Sequence, residues 1–221
     1  MFEKKKIRLA VLLSGGGTTY QFIQDRIDAG ALDAETVVVV SSREDAFGLE
    51  RARGHGVPAI AVPRKNFKQF GDDEIIAFNR KLIETIAPYD PELIVMAGFM
   101  SLLTPEFVER WPGRIMNTHP ALIPAFCGEK YYGERVHKAV VEQGVKITGC
   151  TIHFVDEMYD HGPIILQKAV PVEDSDTYED VAAKVMAVEK PLYCEAIQLF
   201  AEGRLEISGK KVFRHPPREV K

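Results

Sequence analysis

Apolar and polar positions alternate along this chain in two rhythms. Ile7 to Leu13 is an apolar run broken only by Arg8, and Glu35 to Ser41 carries Val37, Val38, Val39 and Val40 in succession. Runs that lack a wet face read as strands covered on both sides. Between them Tyr20, Ile23 and Ile27 recur at helical spacing, so a helix to about Asp28 links the two strands, the start of a parallel, doubly wound arrangement. The rhythm repeats with a helix over Ala46 to His55, a short strand over Ala59 to Val62, and a helix bearing Ile75, Phe78, Leu82 and Ile86 behind the acids Asp72, Asp73 and Glu74. Leu93 to Ala97 is a fourth strand, and Thr104-Pro105 opens a short helix to about Arg110.

The second part of the chain continues with a strand from Arg114 that Pro120 ends, a long loop over Ala121 to Glu134, and a helix over Val136 to Gln143. Strands over Ile147 to Val155 and Ile164 to Val172 follow. Asp176-Thr177-Tyr178-Glu179 resembles a capping box that opens a helix to about Glu202, which Pro191 is expected to kink or split. Leu205 to Ile207 and Lys211 to Phe213 flank Ser208-Gly209-Lys210 as a small terminal hairpin. The fold class is therefore α/β: a Rossmann-like, doubly wound, mostly parallel sheet with a small C-terminal hairpin. No repeat or linker interrupts it, and one domain over 1–221 is expected.

Composition narrows the partners. The chain has 221 residues and a formal net charge of −4, which gives no general attraction for a nucleic-acid backbone. The one basic run, Lys4-Lys5-Lys6, reads as a solvated N-terminus. Cys127, Cys150 and Cys194 are odd in number and far apart, without metal-ligand spacing, so a reducing compartment and no structural metal are expected. No stretch approaches the roughly 20 apolar residues of a membrane span, and Met1 to Lys6 has no signal-peptide core. These readings point to a cytoplasmic protein with small-molecule partners and neither nucleic acid nor membrane.

Three stretches carry chemistry. Ser14-Gly15-Gly16-Gly17-Thr18-Thr19 follows the first strand directly, and backbone N–H groups at such a helix start cradle a phosphate, where the alternative is a tight strand-to-helix turn. No Lys stands in a Walker position, and Tyr20 occupies the place of a third dinucleotide-binding glycine, so one terminal phosphate is the better fit. Gly17 is expected to serve ligand approach alone, so that Gly17→Val blocks the ligand while the fold survives. Asn117 and His119 alternate to one face of their strand and are suited to polarising a carbonyl, or else satisfy backbone groups in a core. The acidic loop from Asp156 to Pro163 reads alone as a solvated turn, His153 as structural, and Glu189 as part of a surface helix face or a buried acid with a partner.

Taken together, these stretches resemble the phosphoribosylglycinamide formyltransferase family. The blocks are Ser14-Gly15-x-Gly17-Thr18, Ala97-Gly98-Phe99-Met100-x-Leu102-Leu103, Asn117-x-His119-Pro120-x-Leu122-x-Pro124, and Thr148 to Val155 continuing through Asp160 and Gly162 to Gln167. They occur in the family's order and span nearly the whole chain. The resemblance implies formyl transfer from 10-formyltetrahydrofolate, a co-substrate, to the amine of glycinamide ribonucleotide in purine synthesis, with no metal. It implies Asn117, His119 and Asp160 as the catalytic trio, Gly15, Gly16, Gly17, Thr18 and Thr19 as the phosphate loop, and Glu189 as the acid that holds the ribose. Met100, Ser101, Leu102, Leu103, Val108, Asn117, Val155, Asp156 and Asp160 are implied as the folate pocket. The halves are then 1–98 for the phosphate and 99–221 for folate and catalysis. The chain departs from the family in Thr19, which replaces an Asn, in a longer Cys127 to Gly133 loop, and in Ile75, which stands where an Arg meets the folate tail; Arg64, Lys65 and Lys68 are the cations nearby. Another amine acceptor, water as the acceptor in a deformylase, and a non-catalytic phosphate sensor are the rival functions.

Overall fold

The computed structural model describes residues 5–217. Met1 to Lys4, and with them one lysine of the basic run, lie outside the described residues; Lys5 pairs with Glu92 at 2.6 Å. The chain divides into two compact units between Met116 and Asn117. In the first, strands β1 (Ile7–Leu13), β2 (Ala34–Ser41), β3 (Ala59–Ala61) and β4 (Leu93–Met96) lie side by side in the order β3-β2-β1-β4. Every pairing there is parallel, as the uninterrupted apolar runs require. Helices α1 (Thr18–Asp28), α2 (Phe47–Gly54), α3 (Glu74–Ile86) and α4 (Pro105–Arg110) fall where periodicity predicts them. Tyr20 and Ile23 are fully buried, as are Phe78, Leu82 and Ile86.

Strand β5 (Ile115–His119) carries the chain from the first unit into the second. The second unit adds α5 (Glu134–Glu142), β6 (Ile147–Phe154), β7 (Ile164–Pro171), α6 (Tyr178–Ala201), β8 (Leu205–Ser208) and β9 (Lys211–Arg214). Its strand order is β5-β6-β7-β9-β8, with β6 antiparallel to β7 and β8 antiparallel to β9. The expected terminal hairpin is thus present. The α/β, mostly parallel, Rossmann-like class is borne out.

Two local expectations need correction. The capping box lies one residue later than the sequence suggests: Thr177 N–H donates to Asp180 Oδ2 at 2.9 Å, and Asp180 N–H donates to Thr177 Oγ1 at 3.2 Å. Thr177 has the extended backbone of a cap, and the hydroxyl-to-third-residue reciprocity then selects Asp180 rather than Glu179. Helix α6 also does not split at Pro191. The missing N–H removes one hydrogen bond, but Val181 and Val185 before the proline and Leu192, Tyr193, Ala196 and Ile197 after it are buried, and that burial holds the two halves in one helix.

A buried polar side chain, unmarked in the sequence, fixes the stretch after β4. Asn79 on α3 is fully buried; its Nδ2 donates to Ile75 O at 2.9 Å and Leu102 O at 3.0 Å, and its Oδ1 accepts from Thr104 N–H at 3.1 Å. Two backbone groups of the turn and helix start, Leu102 O and Thr104 N–H, depend on that one amide. Asn79→Leu fills similar space but orphans them, so urea denaturation should show a loss of roughly 2–3 kcal/mol with the slope unchanged.

Candidate functional site

The end of β1 leads straight into the glycine turn. Ser14 N–H donates to Gly98 O at 3.0 Å, while Ser14 Oγ accepts from Met100 N–H at 2.9 Å and lies 2.6 Å from Ser42 Oγ. Gly17 caps α1 with φ 69°, a left-handed conformation. A Cβ there would lie 2.5 Å from the Cα of Gly48 on α2, because the two backbones touch. Gly17 is therefore needed by the fold itself, which corrects the expectation that it serves only ligand approach. Gly15 and Gly16 are exposed, with nothing within 4 Å of a Cβ. No acid sits in the first turn of α1 and no side chain caps it, so the N–H groups of the turn and of Thr18 form an open cluster of donors.

Ser14 and Met100 also bound a cavity of about 640 Å³ shared with Ser42, Arg43, Arg64 and Lys65. Its cations are already paired: Arg43 with Asp45 at 2.7 Å, Arg64 with Glu74 at 2.9 Å and Lys65 with Glu44 at 2.7 Å. Among the implied folate residues of this unit, Met100 is exposed, Ser101 and Leu103 are buried, and Leu102 and Val108 are half-buried.

In the second unit β5 and the β6–β7 loop bring titratable groups together. His119 is 3 % exposed; its Nε2 donates to Phe126 O at 2.8 Å, and its Nδ1 lies 3.3 Å from Asp160 Oδ2. Asp160 Oδ2 also accepts from Gly128 N–H at 3.1 Å. Forty-one positions of sequence are closed by this contact, as the resemblance implies. Asp160 sits at φ 51°, a left-handed conformation costly for a residue with a side chain. Val155 and Asp156, at the start of the same loop, are half-buried.

His153 is the residue that sequence reasoning missed. It is 2 % exposed; its Nδ1 donates to Phe154 O at 2.8 Å, and its Nε2 lies 3.4 Å from Asn117 Nδ2 and 3.8 Å from Asp160 Oδ1. Burial pushes the imidazole below its ordinary pKa, so the ring is neutral and Nε2 accepts from Asn117. That acceptor turns the Asn117 amide so that its N–H groups, not its carbonyl, face the cluster. The one available signal was its place on β6, from which it points to the same cluster as Asn117. Thr151 and Gln167, which the sequence places in a family block without a role, root the long loop: Thr151 Oγ1 donates to Ala121 O at 2.7 Å and Gln167 Nε2 donates to Ile123 O at 3.0 Å.

Glu189 is half-buried on α6, and desolvation pushes its carboxyl up to about 7. It is not on a solvated face, the default that its position in the helix suggested. Burial of Cys150 first, and the Glu189 charge second, push that thiol up to about 12. Among the described residues no cluster of His, Cys, Asp or Glu is arranged to hold a metal ion, and no helix is long and apolar enough to cross a membrane.

With this geometry in place, comparison with known proteins is direct. The formyl transferase family model matches residues 7–197. The phosphoribosylglycinamide formyltransferase of Escherichia coli is 38% identical over 201 residues, covering 91% of this chain and 90% of that protein. The chloroplastic one of Arabidopsis thaliana is 37% identical, over 92% of this chain and 68% of the relative. The chain spans only 19% of the length of the Bos taurus trifunctional purine biosynthetic protein adenosine-3, which it matches at 36% identity over 93% of itself. Among solved structures, glycinamide ribonucleotide transformylase 1 from Symbiobacterium toebii superposes with a TM-score of 0.89 at 41% identity, covering 98% of each chain.

Two measurements follow from the local geometry. Gly17→Ala, forced into left-handed backbone against Gly48, should lower stability by more than about 2 kcal/mol, while Gly16→Ala should stay within about 0.5 kcal/mol, both read by chemical denaturation. A carboxyl whose folded pKa lies above its unfolded value contributes full stability below the unfolded value, and that stability is lost as pH rises through the folded one. Glu189→Gln should therefore match the parent near pH 4 and exceed it above pH 7, by up to about 3 kcal/mol.

Proposed function

The chain belongs to the formyl transferase family, and on that footing we propose that it transfers a formyl group from 10-formyltetrahydrofolate to the amine of glycinamide ribonucleotide, in purine biosynthesis. The observation that carries this reading is the cluster of Asn117, His119, Asp160 and His153, which presents hydrogen-bond donors beside a carboxylate. Such a set suits a carbonyl that gains negative charge while the attacking amine loses a proton.

In this reading the amine attacks the formyl carbon, and Asn117 Nδ2 and a protonated His119 hold the oxygen as charge develops on it. Nε2 of His119 is engaged by Phe126 O at 2.8 Å, a position the formyl oxygen takes over when substrates bind. Asp160 stabilises the imidazolium through Nδ1 and helps move the amine proton to the folate nitrogen, which leaves with it as the bond between that nitrogen and the formyl carbon breaks and the carbonyl re-forms. His153 keeps the Asn117 amide turned for donation. No step is assigned to a metal.

Gly15, Gly16, Gly17, Thr18 and Thr19 take the ribonucleotide phosphate on backbone N–H groups. Glu189 takes the ribose hydroxyls, whose donated hydrogen bonds favour its ionised form. Met100, Ser101, Leu102, Leu103, Val108, Val155 and Asp156 line the folate. The chain serves as one formyltransferase domain, with 1–98 for the phosphate and 99–221 for folate and chemistry. Its partners are small molecules, and the cytoplasm suits it: its three cysteines are odd in number and far apart in the chain.

Purified protein supplied with 10-formyltetrahydrofolate should release deformylated folate only when glycinamide ribonucleotide is present. Release without the acceptor would mean a deformylase, and none under either condition a sensor. Asp160→Asn should cost roughly 10²-fold or more in kcat with the fold intact. Because the two groups act as one unit, adding His119→Ala should cost far less than the product of the single losses. Multiplicative losses would remove Asp160 from the mechanism.

A further inference from the structure

We propose that Lys210, at the turn of the C-terminal hairpin, is a positioning residue that holds the Asp160 loop in its working geometry through His161 and Asp156. The proposal rests on the role of Asp160 above. The loop over 155–163 joins β6 to β7 and is closed tightly at its base. Phe154 N–H donates to Pro163 O at 2.9 Å, and a Cβ on Gly162 would meet Phe154 O at 1.8 Å. Its tip is different: Glu157, Met158 and Tyr159 are exposed, and Asp160 is held left-handed at φ 51°. A strained residue whose carboxylate must stay near His119 needs a restraint on its neighbours.

That restraint is a chain of three side chains. Lys210 Nζ lies 2.5 Å from His161 Nε2, and His161 Nδ1 lies 2.7 Å from Asp156 Oδ2. An ammonium only donates, so Nε2 accepts and the ring proton sits on Nδ1, where it is donated to the carboxylate. Asp156 Oδ1 meanwhile accepts Met158 N–H at 3.0 Å. Every donor in the chain faces an acceptor, and the chain binds the residue that follows Asp160 to the residue near the loop's start.

The hairpin is built to deliver this lysine. Ile164, just past the loop, pairs with Lys211, which sets the turn beside the loop's exit. Glu206, Ile207, Ser208, Lys211, Phe213 and Arg214 are all exposed, so the hairpin buries little of its own. Each exposed link adds little to global stability. Its effect falls instead on the placement of a reacting group, to which rate is far more sensitive.

The test uses the full chain with Lys210→Met, Lys210→Arg, His161→Phe and the Lys210→Met/His161→Phe double variant. Lys210→Met should lower kcat by up to about ten-fold with melting temperature unchanged, and should speed amide hydrogen exchange at 156–162. Lys210→Arg should restore most of both, and Lys210→Met should add nothing once His161 is Phe. Unchanged exchange and turnover, multiplicative losses, or no rescue by Arg would overturn the proposal. If the parent protein transfers no formyl group, the functional reading falls, and the exchange measurement on the protein alone still decides whether Lys210 restrains the loop.

Discussion

The approach of Asp160 Oδ2 to within 3.3 Å of His119 Nδ1 is the constraint on which the second unit turns. Neither residue reaches it by local preference. Asp160 occupies backbone space that a side chain disfavours, and the following Gly162 is in a position where any Cβ would strike Phe154 O. The loop can make this tight return only because β6 and β7 are antiparallel neighbours with a shift in register at Ile152/His153. The strain sits beside the His119–Asp160 contact, as it does where a fold holds one geometry against local preference.

Around that contact the buried polar groups are arranged so that each fixes the next. Phe154 O sets the tautomer of His153, His153 sets the Asn117 amide, and Gly128 N–H helps fix the Asp160 carboxylate. The result is a preorganised set of donors, the condition under which electrostatic stabilisation of a developing charge is strongest. Thr151 and Gln167 extend the same logic to the loop that supplies Phe126 and Gly128. In the first unit the corresponding device is steric: Gly17 and Gly48 let α1 and α2 touch, and Ser14 fastens the turn to Ser42 and Met100.

Much of this was legible from residues alone. Unbroken apolar runs at Ile7 to Leu13 and Glu35 to Ser41 specify strands buried on both faces, and strands of that kind alternating with helices leave few topologies open. Pro120 and the turn at Gly209 mark boundaries because proline and glycine act on the backbone locally. Ordered blocks from Ser14 to Gln167 were enough to identify the family. Where reading failed, the competing effect was tertiary: buried apolar positions on both sides of Pro191 keep α6 whole, and the extended backbone of Thr177 moves the capping box by one residue.

The sequence by itself determined the order and kind of the elements, the glycine turn, and the placement of Asn117 and His119 on one strand face, because propensity, periodicity and turn chemistry depend on near neighbours. Only the tertiary structure decided that Gly17 is needed by the fold, where it lets α1 touch α2. It alone turned His153 from a core residue into the acceptor that orients Asn117, and moved Glu189 from a solvated face to a carboxyl pushed up to about 7. Burial, desolvation and hydrogen-bond reach depend on groups distant in the chain, and no local pattern of residue types records them.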